Sequence, residues 1–206
     1  MKLPFLTEKQ LLNEFNKYGV KLTPLLKKAL IQTKKTHKAH LRDDAISPVL
    51  EQHIYPLVNS LISCYKYEKR KINSKVIVSA VLHDVIEDDC NMNNNKFRRI
   101  FGYNVYKIVK CVTKKQENNK PDLPEEEIYK INKKMIEELQ ESPYEAKIIK
   151  LADRYNNLSC SLSAKYKNIK KYERRIIETR ELFLPFAKEV SPYFYKKIKS
   201  ALRELA

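Results

Sequence analysis

Apolar residues recur at three- and four-residue spacing along most of the chain, and the breaks between runs carry residues that start or stop helices. Thr7-x-x-Gln10 reads as a capping box opening a helix through about Tyr18, with Leu11, Leu12 and Phe15 on one side and Gly19 as its stop. Thr23-Pro24 opens a second, with Leu25, Leu26, Ala29 and Leu30 facing inward, running out near His40. Ser47-Pro48 starts a third through about Tyr65, striped by Leu50, Ile54, Leu57, Val58, Leu61 and Ile62. Asn73-Ser74 caps a central helix expected to run through Asp89, with Val76, Ile77, Ala80 and Val81 on its buried stripe. Further on, Phe97 to Phe101 and a run containing Val105, Ile108, Val109 and Val112 flank a glycine stop at Gly102. Glu125 to Glu141 is amphipathic, and Ser142-Pro143 opens a helix whose core face is Ile148, Leu151, Ala152, Tyr155 and Leu158. Asn168 to Val190, broken or bent near Pro185, and Ser191-Pro192 to Leu205 are expected as scaffold helices. The segment Gln116 to Pro124 is the clearest loop and a candidate lid.

Composition narrows this picture to an all-α fold. Only Gly19 and Gly102 are glycine, so phosphate-cradling glycine loops are absent and strand-rich folds with many tight turns are disfavoured. With 206 residues and 43% hydrophobic content, residues 1–206 suffice for one domain, with 1–22 as an N-terminal packing segment and 168–206 as C-terminal scaffold. The 41 Lys and Arg against 25 Asp and Glu give a net charge of +16, which favours an anionic partner such as a nucleotide, RNA or a phosphate-bearing surface without choosing among them. Cys64, Cys90, Cys111 and Cys160 show no C-x-x-C spacing and read as free thiols. No apolar run is long enough to span a bilayer and Met1 to Phe5 lacks a signal-peptide core, so a cytoplasmic protein without membrane contact is expected.

Candidate chemistry sits where the central stripe turns ionisable. The turns after Val81 carry His83, Asp84, Glu87 and Asp88. Burying an imidazole beside carboxylates is costly unless a cation neutralises them, and a divalent metal is the simplest such cation. Two other helices offer ligands at a core edge: His53 beside the third stripe, and Asp153 with Asn157 one turn on. Two imidazoles and two carboxylates suit Mn²⁺, Fe²⁺ or Zn²⁺.

The order His, His-Asp, Asp on successive helices resembles the HD phosphohydrolase superfamily, and in detail the hydrolase domain of RelA/SpoT homologues, including stand-alone small alarmone hydrolases. Ala80-Val81-Leu82-His83-Asp84-Val85-Ile86-Glu87-Asp88 is similar to the signature Ala-x-Leu-His-Asp-x-x-Glu-Asp. Ile149-Lys150-Leu151-Ala152-Asp153-Arg154-Tyr155-Asn156-Asn157 resembles the stretch Lys-Leu-Ala-Asp-Arg-Leu-His-Asn. Phe101-Gly102-x-x-Val105, Val112-Thr113-Lys114 and Leu184-Pro185-Phe186-Ala187 add support over about Lys27 to Ala187. The resemblance implies that His53, His83, Asp84 and Asp153 hold one metal ion, usually manganese, and that Glu87 and Asp88 assist the attacking water. It implies that Arg42 lies against a base, Asn157 near a ribose, and Lys150 and Arg154 at basic positions of the motif. The implied reaction removes the 3′-pyrophosphate of guanosine tetra- or pentaphosphate (ppGpp or pppGpp), giving GDP or GTP. No nucleotidyltransferase segment follows Ala206, so hydrolysis without synthesis is expected.

The chain departs from that family at substrate-reading positions. Where the family usually has Arg-Lys-x-Gly-x-Pro-Tyr-Ile-x-His-Pro, this chain has Arg42-Asp43-Asp44-Ala45-Ile46-Ser47-Pro48-Val49-Leu50-Glu51-Gln52-His53-Ile54, longer and acidic at its second residue. Asn156 replaces the usual histidine, and Cys160 stands where a hydroxyl is common. Two alternatives therefore stay open: another nucleotide such as NADPH as substrate, and a non-catalytic basic module that binds nucleotide or RNA.

Overall fold

In the computed structural model, residues 5–42, 45–113, 123–161 and 168–205 are described. Asp43, Asp44, Lys114 and all but the end of the Gln116 to Pro124 loop lie outside them. Among the described residues every regular element is a helix, and the one strand-like pairing is an isolated bridge between Leu41 and Pro48. The helices are α1 Glu8–Lys17, α2 Pro24–His37, α3 Tyr55–Tyr67, α4 Ser74–Val81, α5 Val85–Asp88, α6 Asn94–Phe101, α7 Tyr103–Val112, α8 Glu125–Gln140, α9 Tyr144–Ser159, α10 Ile169–Glu178, α11 Leu184–Val190 and α12 Pro192–Leu205. No helix among them is long and apolar enough to cross a membrane.

The caps follow the sequence closely. Thr7 closes a reciprocal capping box with Gln10, and Thr23 and Asn73 accept from main-chain N–H groups at the starts of α2 and α4. Gly102, at φ +85°, ends α6 and starts α7 without a spacer, a backbone conformation that side chains with a Cβ rarely adopt.

α4 and α9 form the centre. α4 lies against α2, α3, α7 and α9, and every residue from Val76 to Val81 is buried, so this helix is covered on all sides and not along one stripe. α9 is packed by α3, α7 and α12, with Ile148, Ile149, Leu151, Ala152 and Leu158 buried. Both helices thus carry their polar residues into the interior.

Two expectations need correction. The central helix stops at Val81, turns through Leu82 to Asp84, and resumes as the single turn α5. The cause is local: His83 Nδ1 donates to Ala80 O at 2.9 Å, the carbonyl that a continuing helix would offer to the Asp84 N–H. The second helix ends at His37, not near His40; beyond it the chain turns back through bonds from Arg42 N to Ser47 O and Val49 N to His40 O, which places Arg42 over the interior. The interruption expected near Pro185 is a π-turn at Thr179–Phe183 between α10 and α11, and a second π-turn, Leu50–Ile54, precedes α3. Each π-turn is followed at the second position of the next helix by a proline, Pro185 or Pro56, which has no N–H for the carbonyl four residues back.

Candidate metal centre

The turn between α4 and α5, the π-turn before α3 and the middle of α9 bring His83, Asp84, His53 and Asp153 together. His53 Nε2 lies 3.2 Å from His83 Nε2, 3.4 Å from Asp84 Oδ2 and 3.7 Å from Asp153 Oδ1, and His83 Nε2 is 3.0 Å from Asp84 Oδ2. Both imidazoles are buried.

The hydrogen bonds fix which ring edge faces this point. Ala80 O can only accept, so His83 carries its proton on Nδ1. Asn156 Nδ2 donates to Gln52 O at 3.1 Å, which turns its Oδ1 toward His53 Nδ1, 2.6 Å away. Pro56, four residues on, has no N–H to donate to Gln52 O, which accepts instead from Asn156 Nδ2 and from the Cys160 thiol. Asn156 therefore sets the His53 tautomer, and both Nε2 lone pairs converge. Lone pairs 3.2 Å apart repel unless a proton or a metal cation sits between them.

The electrostatics agree. Burial works against a charged His83, yet the Asp84 carboxylate beside it outweighs that and holds the imidazole up at about 9. Burial and the nearby Arg42 push His53 the other way, toward its neutral form. Burial would raise both carboxyls, but His83 and His53 hold Asp84 well below the usual range, and Lys150, 3.1 Å from Asp153 Oδ2, does the same for Asp153. One positive charge is thus already held in common by the group.

The residues fit a divalent ion. Ligand atoms about 2.1 Å from one ion and at right angles lie roughly 3 Å apart, close to the separations here. His53, His83 and Asp84 each present a ligand atom within one small sphere, with Asp153 beside it. Asn157 orients that last ligand: its Nδ2 donates to Asp153 Oδ1, and its Oδ1 accepts from Arg42 Nη2 at 2.6 Å. Arg42 Nε is buried without a hydrogen-bond partner.

Other candidate residues are distributed around this point. Lys150 is buried in the field of Asp153, Glu87 and Asp84, which places half-buried Glu87 on the same side. Asp88 is exposed and lies 3.1 Å from His37 Nε2. Arg154 is stacked on Phe183 and paired with Glu178 at 3.0 Å, so its charge also anchors α10.

Beside Asp153 opens a cavity of about 320 Å³. Five cationic side chains line it, Lys150, Arg154, Lys171, Arg174 and Arg175, against the acids Asp153 and Glu178, so the wall favours an anion. The volume falls at the lower end of the range for small-molecule sites. Three of those cations come from α10, which the sequence pattern alone marks as scaffold. The basic cluster Lys170 to Arg175 is the signal that points to it. Asn156, legible only as a departure from a motif, is the other residue missed.

A family model described as HD domain matches residues 29–190, a span holding all four converging side chains. No curated protein matches the sequence. Among solved structures the chain is similar to one described as "A metazoan ortholog of SpoT hydrolyzes ppGpp and plays a role in starvation responses", with a TM-score of 0.71 and 20% identity over 89% of this chain and 97% of that one. At that identity the likeness is one of fold.

Proposed function

We propose a function from one premise: the chain belongs to the HD domain family. Its His53, His83, Asp84 and Asp153 hold one divalent ion, manganese by preference, and the protein hydrolyses a phosphate linkage of an anionic nucleotide. The observation that carries this reading is the pair of Nε2 atoms 3.2 Å apart, each turned inward by a committed Nδ1, with two carboxylates alongside. A divalent ion bound there supplies Lewis-acid polarisation of a phosphoryl oxygen and lowers the pKa of water.

The chain's own residues do the rest. Glu87, on the side of Lys150, orients the attacking water and takes its proton, with Asp88 assisting. Lys150 and the α10 cations hold phosphate groups in the cavity beside Asp153. Arg42, fixed through Asn157 and with Nε unpartnered, offers a flat guanidinium for a base. Asn157 itself stands at the ribose position.

The substrate we propose is guanosine tetra- or pentaphosphate, cleaved at the 3′-pyrophosphate. Supporting it are the signature stretches around His83 and Asp153 and the ppGpp hydrolysis described for the metazoan SpoT ortholog whose fold this chain shares. The longer, acidic segment after Arg42 favours keeping a second nucleotide, such as NADPH, beside it. Mn²⁺-loaded protein should release pyrophosphate from ppGpp and pppGpp, and Asp84→Ala should lose ion and turnover together. Release of inorganic phosphate from NADPH, with no pyrophosphate from any guanosine form, would overturn the substrate. Full activity after chelation would overturn the metal.

A further inference from the structure

The mode of presenting an imidazole seen at the centre recurs once more among the described residues. His37, the last residue of α2, is buried, and its Nδ1 lies 2.8 Å from Thr33 O, a main-chain carbonyl one turn back. That contact commits Nδ1 as donor and turns Nε2 outward, to 3.1 Å from Asp88 Oδ2. His40, exposed in the turn after α2, packs edge-on against it with ring centroids 5.5 Å apart. A nitrogen from each imidazole and an Asp88 oxygen all lie within 4.8 Å of one another.

We propose that His37, His40 and Asp88 form a second site for a divalent transition metal, separate from the centre at His53 and His83. The donor set of two imidazoles and one carboxylate suits a borderline ion such as Zn²⁺, Co²⁺ or Ni²⁺, with water completing the shell. One ligand is fixed in advance by burial and the Thr33 bond, as a metal-binding histidine usually is. The other two are on exposed side chains, His40 and Asp88, already in contact with His37. The surroundings favour a cation: the site lies at the C-terminal end of α2, where the last carbonyls carry partial negative charge, and Asp89 stands next to Asp88, held by Gln32 at 3.0 Å.

Occupancy would tie up the Asp88 carboxylate, one residue from Glu87. The site is nevertheless tested without reference to turnover. Equilibrium dialysis against Zn²⁺ at pH 7.5, followed by metal analysis, is applied to wild type, His40→Gln, Asp84→Ala and the double variant. Two equivalents are expected on the wild type, one on each single variant and none on the double. His40 is exposed, so its substitution leaves the fold intact, which circular dichroism checks. Zn²⁺ binding by His40→Gln equal to that of wild type would overturn the second site. An unchanged count on Asp84→Ala would instead overturn the first centre, so the two failures are separable.

Discussion

Asn156→Ala removes the amide that sets the His53 tautomer while leaving all four proposed ligands in place. Two contacts go with it: acceptance from His53 Nδ1 at 2.6 Å and donation to Gln52 O at 3.1 Å, both buried. A buried polar group left unsatisfied costs roughly 1–3 kcal/mol. The void admits a water that restores part of this, so the metal-free protein should lose about 2–4 kcal/mol. Metal affinity should fall about 10–100-fold, the usual effect of removing a partner that orients a histidine ligand. Asn156→Asp keeps an acceptor for His53 but sets a carboxylate oxygen against Gln52 O and adds a buried negative charge, so its melting temperature should fall while Mn²⁺ affinity is retained far better than in Asn156→Ala. Titration with Mn²⁺ against a competing chelator, beside thermal melts of the metal-free proteins, reads both quantities. A folded Asn156→Ala protein binding Mn²⁺ within twofold of wild type would refute the reasoning.

Glu87→Gln should keep its ion by metal analysis but turn over about 100-fold more slowly, since it loses only the proton acceptor. Metal loading should compete with protons. His83, held at about 9 against an ordinary 6.5, carries an extra proton in the metal-free fold that the ion must displace. Mn²⁺ affinity should therefore rise with pH toward 9, with about one proton released per ion in weakly buffered solution at pH 7.5. By the same sign, this group's support of the metal-free fold is full below about pH 6.5 and is lost as pH rises through 9, so the melting temperature of chelated protein should drop across that window more than that of loaded protein. Glu68 behaves oppositely: burial would raise its carboxyl, but bonds from Ser191 at 2.5 Å, Tyr144 at 2.8 Å and Tyr193 N hold it below the ordinary range. Its contribution is present above about pH 4.5 and fades as pH falls through the depressed value, so the stability gap between wild type and Glu68→Gln should narrow in acid.

Much of this was legible in the sequence because it rests on local rules. Thr7, Thr23 and Asn73 cap helices through contacts within three residues, and His53, His83, Asp84 and Asp153 stand where the apolar period runs into polar residues. The break after Val81 was not legible, since Leu82, Val85 and Ile86 continue the period and only the His83 side chain, competing for Ala80 O, interrupts it. The partner of His53 could not be read either, because Asn156 lies 103 positions away and meets it through packing of α9 on the turn before α3. Likewise α10 carries an amphipathic pattern suited to scaffold, and its cations face a cavity only because α8 and α9 leave space there.

The widened turn before Pro56 makes the length of this segment matter as much as its chemistry. A π-turn holds one residue more than an α-helical turn, so deleting a residue between Leu50 and Ile54 would let the turn close to α-helical register, leaving the segments on either side nearly in phase and re-aiming the side chains inside the turn. Substitutions there trade one contact for another, whereas a one-codon deletion would swing the imidazole of His53 around the helix axis and away from its three companions. Sequence change in this lineage should accordingly be permissive in letters and strict in spacing across that short interval.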